Sequence, residues 1–275
     1  MAKDSIAERY LFIELIAFWE GAVSNKQLVK QFQITRQQAY ADIKKYCGQY
    51  PENLQQCNSG LKPSVAFKPK YLSQDVNQYL EWFSFGKLNI QPLCLLGACA
   101  LSLPSRAVSA KVIRALVIGI REHKRVEVDY VSLSHPERDG RIFHPHTFVN
   151  TGLRWHVRGY CEKSQGYRDL VLSRFRGEAE VLDSSINSID NDLAWHTQLT
   201  LILQPDPRLS TEKQLVLAND YQMANGQLII STKAALANYL LQELQVNTKM
   251  LDGIPEAQQL VLVNQDDIKP WLFSN

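Results

Sequence analysis

The chain has 275 residues, of which 45% are hydrophobic and 21% charged, a globular composition that excludes a mainly disordered protein and suffices for two or three domains. The longest apolar runs, such as residues 11–19, are too short and too interrupted to cross a bilayer. No secretory signal pattern opens the sequence and the five cysteines form no Cys-x-x-Cys pair, so we expect a cytoplasmic protein without a disulfide framework or structural zinc.

The charge is distributed unevenly along the chain. The net charge is +2, yet residues 26–70 contain eight Lys or Arg against Asp42 and Glu52, while residues 191–275 contain five basic and nine acidic side chains. A basic N-terminal part and an acidic C-terminal part predict an anionic partner at the N-terminal end. On charge alone, a solvated charged surface is the simpler explanation.

The first fifty residues predict a helix-turn-helix. Ile6, Tyr10, Ile13 and Ala17 follow a helical spacing and define one apolar stripe, on a helix that ends at Gly21. Two capping boxes follow, in which a hydroxyl and a glutamine side chain can satisfy free backbone N–H groups at a helix start. The spacing between the two boxes leaves room for one short helix and a tight turn before the next helix.

The capping boxes are formed by Ser24 with Gln27 and by Thr35 with Gln38. The inward residues of the two helices are then predicted to be Leu28, Val29 and Phe32 in the first, and Ala39, Ile43 and Tyr46 in the second.

The second capped helix is the candidate recognition helix. Arg can pair with guanine and Gln with adenine in the major groove of DNA, and the basic segment 60–70 predicts a wing hairpin behind it. Exposed Arg and Gln occur on many small helical domains, so the prediction depends on the caps, the local charge and the wing together. The predicted contacts to double-stranded DNA come from Arg36, Gln37, Gln38, Tyr40, Lys44, Lys45, Lys62, Lys68 and Lys70.

Residues 71–123 are predicted to form a helical connection, with a bridging helix at Ala107–His123. From residue 125 the apolar period changes to two, which predicts strands. We predict strands at Arg125–Ser132, Leu153–Cys161 and Tyr167–Arg176, in a small antiparallel barrel or half-barrel. In the second strand the odd positions would face a core, and the even positions from Arg154 to Tyr160 would form a polar face.

The last third predicts a compact α+β unit with few residues suited to chemistry. Its predicted elements are a strand at Thr197–Leu203, a helix at Thr211–Asp220, a strand at Gln227–Ser231, a helix at Lys233–Gln245 and a strand at Gln258–Val263.

Several motifs in the middle of the chain resemble a WYL domain. They are Tyr130–Ser134, Arg141 with His144–His146, Trp155–Val157 and Leu172–Phe175. Trp155, His156 and Val157 stand where the family has its naming Trp-Tyr-Leu triplet. The order of winged helix-turn-helix, WYL domain and small α+β domain is similar to that of WYL transcription regulators, and the motifs are most similar to repressors of BREX and CBASS phage-defence operons.

The resemblance implies a multidomain α+β protein that represses transcription as a homodimer on an inverted-repeat operator. The implied domains are a winged helix-turn-helix at 1–95, a helical linker at 96–123, an Sm-like β-barrel WYL domain at 124–190 and a C-terminal dimerisation domain at 191–275. The WYL domain would sense a nucleotide or nucleic-acid-like ligand through Tyr130, Ser132, Ser134, Arg141, His144, His146, Arg154, His156, Arg158 and Arg174.

Two other classes of function compete with this interpretation. Five of the six histidines lie between residues 123 and 156, which suggests a metal site or a hydrolase, but no His-Glu-x-x-His, Gly-x-Ser-x-Gly or phosphate-binding loop is present. We therefore predict no enzyme, no metal and no cofactor. The stronger alternative is an RNA-binding or single-strand-binding accessory protein that uses the Sm-like face.

Overall fold

The computed structural model describes residues 5–86, 88, 104, 106–134, 136–251 and 253–272. The chain divides into two compact units. The first comprises Met1–Phe148 with Val157–Ser185, and the second comprises Val149–His156 with Ile186–Asn275.

Helix α1, Ile6–Glu20, is the centre of the N-terminal part of the first unit. Ser5 and Glu8 form a capping box at its start, and it ends at Gly21 as predicted, in a left-handed conformation with φ of 89°. The single predicted stripe is too narrow, because residues on all sides of α1 are buried. The helix is enclosed by the helices and the hairpin that follow it.

Helices α2, Asn25–Phe32, and α3, Arg36–Gln49, form the predicted helix-turn-helix. The first capping box is present, since the Ser24 N–H donates to Gln27 Oε1 at 2.8 Å. In the second, the Gln38 N–H donates to Thr35 Oγ1 at 3.1 Å, but the Gln38 side chain binds elsewhere. The inward residues Ala39, Ile43 and Tyr46 are buried as predicted, and Leu28 is fully buried in α2.

The wing hairpin lies earlier in the chain than predicted. Strand β1 is Leu54–Cys57 and strand β2 is Gly60–Pro63, in antiparallel register with a two-residue turn. Gly60 has φ of 137°, and a Cβ atom there would overlap the Val23 carbonyl oxygen, so only glycine fits. The segment 64–70, predicted as part of the wing, lies beyond β2 and is not a strand.

Helix α4, Val76–Phe85, and helix α5, Ala110–Glu122, lie at the two ends of the predicted helical connection. Residues 87, 89–103 and 105 between them, which include the first part of the predicted linker, lie outside the described residues. Helix α5 packs against α1 and against the sheet described next.

The central sheet has five strands: β3 Lys124–Tyr130, β4 Asp139–Asn150, β5 Trp155–Cys161, β6 Gly166–Val171 and β7 Phe175–Ser184. Their order is β6-β5-β4-β3-β7. Over the described residues the sheet is open, with β6 and β7 at its edges, so the Sm-like barrel that the resemblance implies is not confirmed.

Three details of this sheet differ from the prediction. The predicted strand Tyr167–Arg176 is two strands, separated by a 3-10 turn at Leu172–Arg174. Strand β4 was not predicted, because His144, Pro145 and His146 interrupt the alternation of apolar and polar residues along it. Strand β5 is buried on both faces, so its even positions are not a solvent-facing row.

The second unit contains the predicted α+β pattern with small shifts at the ends. Helix α7 spans the predicted Thr211–Asp220. The other elements are α6 Leu193–His196, β8 Gln198–Pro205, β9 Leu228–Lys233, α8 Ala234–Glu243, α9 Pro255–Gln258, β10 Leu260–Leu262 and α10 Gln265–Ile268. The strands form an antiparallel sheet in the order β10-β8-β9.

Candidate DNA interface and ligand face

The outward face of α3 presents the side chains predicted to read DNA. Ala39, Asp42, Ile43 and Tyr46 face the core, so the residues between them point away from it. Tyr40 is 58% exposed, although it is a large aromatic residue. The other exposed members of the predicted set on this helix are Arg36, Gln37, Gln38, Lys44 and Lys45.

Asp42 fastens α3 to α1. Its carboxylate accepts a hydrogen bond from Arg9 Nε on α1 at 2.8 Å and one from Gln38 Nε2 at 2.8 Å. Its side chain is only 4% exposed. The ion pair therefore fixes the orientation of the candidate recognition helix at its first turns.

The predicted phosphate contacts lie on and behind the wing. Lys62 is exposed on β2, and Lys68 and Lys70 are exposed in the segment that follows. Asn53 binds this segment, since its Oδ1 accepts from the Lys68 N–H at 3.1 Å and its Nδ2 donates to the Lys68 carbonyl at 3.0 Å.

Glu14 holds the same segment from inside the domain and was missed by the sequence analysis. It is fully buried in α1. Its carboxylate accepts hydrogen bonds from the N–H groups of Lys70, Tyr71 and Leu72 at 2.8–3.0 Å and from the Tyr46 hydroxyl at 2.7 Å. Burial, together with this carboxylate, raises the pKa of Tyr46 well above its usual value. The sequence feature that could have revealed this role is the position of Glu14 inside the apolar run of residues 11–19.

The candidate ligand residues near β3 are placed differently from the prediction. Tyr130 is 3% exposed and packs edge-on against Phe175, and its hydroxyl accepts from the Val171 N–H at 3.0 Å. Arg141 lies over the Tyr130 ring at 5.0 Å. Ser132 and Ser134 lie beyond the end of β3, with hydroxyl oxygens 3.4 Å apart. The Tyr130 ring is thus a core group and not an exposed stacking surface.

Two of the predicted ligand residues take part in buried polar networks. Arg158 Nη1 binds both carboxylate oxygens of Asp169 at 3.1 Å, and each side chain is 7% exposed. His144 contacts Ser185 Oγ at 2.5 Å through Nδ1 and Glu162 Oε1 at 2.9 Å through Nε2. Arg125, with His144 contributing less, lowers the pKa of Glu162. These contacts hold side chains of the sheet in fixed positions.

Three aromatic rings form a half-buried cluster on β4, β5 and β6. The Tyr167 ring lies 5.9 Å from His146 and 5.5 Å from Tyr160. Tyr160 and Tyr167 were not among the predicted site residues, because the register between these strands was unknown. Edge-on rings of this kind can offer a face to a planar ligand.

The remaining predicted residues are dispersed. Arg174 is half-buried in the 3-10 turn before β7, where its carbonyl accepts from the Val131 N–H at 3.1 Å. His156 and the half-buried Arg154 belong to the second unit, where the His156 ring lies 5.2 Å from that of Tyr239. In the first unit the structure therefore brings His144, His146 and Arg158 together on neighbouring strands.

The described residues contain neither a metal-binding cluster nor a membrane-spanning helix. Within that part of the chain, no group of three or more His, Cys, Asp or Glu is arranged to hold a metal ion. In the same residues, no helix has the length and apolar character needed to cross a membrane.

Three family models match the chain in the order predicted. They are the BrxR transcriptional regulator winged helix-turn-helix domain at residues 5–85, the WYL domain at 111–180 and the BrxR C-terminal dimerization domain at 198–268. The matches confirm the winged helix-turn-helix and WYL resemblance.

Similar proteins cover almost the whole chain. The DNA-binding transcriptional repressor CapW of Pseudomonas aeruginosa is 31% identical over 271 residues, which are 95% of this chain and 90% of that protein. CapW of Stenotrophomonas maltophilia is 26% identical over 96% of this chain and 91% of its own. Among solved structures, the proteasome accessory factor PafBC of Arthrobacter aurescens is 15% identical, with a TM-score of 0.25, and this chain spans 48% of its length.

The family models and the CapW relatives assign the chain to a group of regulators and not of enzymes, as predicted. It belongs to the family of WYL-domain transcriptional regulators that includes the CapW repressors.

Proposed function

We propose that this protein is a homodimeric repressor that places α3 in the major groove of an inverted-repeat operator. The observation that carries the proposal is the outward face of α3, where Arg36, Gln37 and Lys44 are exposed on a helix fastened by Asp42. Arg and Gln at the N-terminal turns of such a helix can reach base edges. Lys62, Lys68 and Lys70 supply phosphate contacts along the wing.

We expect the double substitution Arg36→Ala/Lys44→Ala to abolish selective binding to DNA from upstream of the protein's own gene. The loss of one bidentate base contact alone costs about 1–3 kcal/mol. The measurement is fluorescence anisotropy with duplexes of native and scrambled sequence. The control is Lys269→Ala, which removes an exposed lysine from the second unit. Unchanged affinity of the double variant would reject α3 as the reading element.

Dimerisation is proposed to use the second unit. Several large apolar side chains there are strongly exposed, among them Leu215 at 65%, Val216 at 60% and Ile229 at 62%. Exposed apolar groups of this size favour a partner surface. The acidic character of residues 191–275 keeps this unit away from DNA and leaves it free for a second copy.

Sedimentation is expected to give a dimer at micromolar concentration, and Leu215→Glu/Val216→Glu is expected to shift it toward monomer. Because each half-site contributes separately to affinity, the same variant should lose cooperative binding to the inverted repeat while keeping weak half-site binding. A native chain that stays monomeric with and without operator DNA would contradict the proposal.

The ligand sensed by the WYL domain is proposed to be a nucleotide or a nucleic acid, and the regulated genes a phage-defence operon. The proposal of a phage-defence operon rests on the resemblance of the motifs within residues 130–175 to those of WYL repressors. The proposal of a nucleotide or nucleic-acid ligand is supported by the aromatic cluster of His146, Tyr160 and Tyr167 and by Arg158, two residues before Tyr160 on the same face of β5. Guanidinium groups suit phosphate oxygens, and rings suit bases.

The same cluster favours one alternative, a single-strand-binding accessory protein acting through the sheet. The discriminating experiment is a footprint on duplex DNA. A protected region with two-fold symmetry supports the repressor, whereas binding to single strands with no duplex footprint supports the alternative.

A further inference from the structure

Gln38 is exposed on α3, but the amide nitrogen of its side chain is held by a hydrogen bond within the helix. Its Nε2 atom donates to Asp42 Oδ1 at 2.8 Å, and the other oxygen of that carboxylate receives Arg9 Nε at 2.8 Å. The carboxylate lies on the buried side of the helix, while Gln38 itself is exposed. A buried ion pair therefore anchors an exposed amide.

The anchor decides which way the amide of Gln38 points. The two ends of a glutamine amide have opposite hydrogen-bonding character, and a free side chain can turn to suit either a donor or an acceptor. A carboxylate paired with a guanidinium offers acceptors only. Asp42 thus holds the nitrogen of Gln38, leaving its oxygen and one N–H for another partner.

The position of Gln38 makes a base edge a suitable partner. It lies in the first turn of α3 and shares one side of the helix with Ala41 and Lys45, which are also exposed. The N-terminal turns of a recognition helix enter the major groove most deeply.

We infer that Gln38 is a specificity-determining residue that reads adenine, and that Asp42 is the positioning residue that fixes its orientation; this inference rests on the proposed DNA binding by α3. Adenine presents an amino group beside the acceptor N7, which matches an amide with its oxygen and one N–H available. Guanine presents two acceptors, so its O6 would face the amide oxygen. The anchored amide excludes guanine, whereas an amide free to turn does not.

Selection from a library of random duplexes gives the base preference at each position even when the operator sequence is unknown. The native chain is expected to enrich a symmetric motif with adenine favoured over guanine roughly 10-fold at one position in each half-site. Gln38→Ala should remove the preference at that position alone. Asp42→Asn should bring adenine and guanine within about threefold there, because an asparagine amide in place of the carboxylate could accept or donate.

Three further variants separate positioning from a structural role. The double variant Gln38→Ala/Asp42→Asn should have the same preferences as Gln38→Ala, since Asp42 acts through Gln38. Gln38→Glu offers acceptors only and should move the preference from adenine to cytosine, whose amino group it can bind. The matched control is Gln49→Ala, an exposed glutamine on the same side of α3 three turns away, which should change nothing.

The outcomes are distinct. If the native chain enriches no motif, the proposed DNA binding fails. If it does, and Asp42→Asn weakens binding to all sequences equally with the motif intact, Asp42 is structural and the inference is overturned. If Asp42→Asn does not fold, Gln38→Glu alone still tests the inference, because Gln38 is exposed and its substitution leaves the core unchanged. Unchanged preferences in that variant overturn the inference.

Discussion

Replacing Glu14 with alanine is expected to lower the free energy of unfolding of the N-terminal part of the first unit by about 3–5 kcal/mol. The carboxylate is fully buried and satisfies the N–H groups of Lys70, Tyr71 and Leu72. Without it, these donors lose their acceptor, and each buried group left unsatisfied costs roughly 1–3 kcal/mol.

The isosteric substitution Glu14→Gln keeps the volume of the side chain and one of its two acceptor oxygens. Its amide oxygen can still accept from the backbone donors near Oε2. Its nitrogen would face the Tyr46 hydroxyl, which would lose its acceptor and accept a second hydrogen bond beside the one from Asn53 Nδ2. We therefore expect Glu14→Gln to cost only about 1–2 kcal/mol. The ranking, with alanine far worse than glutamine, follows from the acceptors that alanine removes together with the cavity that it leaves.

Calorimetric melting of the full chain measures both changes, and Glu52→Ala is the control, because this carboxylate is exposed in the same domain. Glu14→Ala should also weaken DNA binding, since the segment that presents Lys68 and Lys70 loses its inner attachment. A loss of less than about 1 kcal/mol would mean that Asn53 alone holds this segment.

The sequence predicted the elements whose signals are local. The capping residues Ser24 and Thr35, the stop at Gly21 and the whole of α7 depend on neighbours within a few positions, and the structure has them as predicted. The helix-turn-helix could be inferred because two such signals occur close together.

The candidate ligand face was less predictable, because its contacts join residues far apart in the chain. Arg158 meets Asp169 only when β5 and β6 are in register, and His144 meets Glu162 and Ser185 only within the folded sheet. Alternation alone placed His156 beside Arg158, but it cannot show that a strand is covered on both sides. Tyr160 and Tyr167 were missed for the same reason.

Because of these buried contacts, we expect substitutions of two candidate ligand arginines, Arg158 and Arg174, to differ in their effect on stability. We expect Arg158→Ala to cost about 3–5 kcal/mol of stability, because Asp169 would remain as a buried charge without its guanidinium. Replacing both partners with apolar residues of similar size, as in Arg158→Met/Asp169→Leu, should restore most of that loss.

Arg174 is the matched comparison, since its side chain is half-buried and its backbone carbonyl makes the structural contact to Val131. Arg174→Ala should melt within about 1 kcal/mol of the native chain and bind operator DNA normally. If Arg174 contacts the ligand, an operator-fused reporter should no longer respond to phage challenge in this variant, because a ligand shifts an equilibrium only through contacts that differ between the two states. A normal response in Arg174→Ala would exclude this arginine from sensing. If the Arg158→Met/Asp169→Leu variant, with its stability restored, still responds normally, the ion pair contributes to stability and not to sensing.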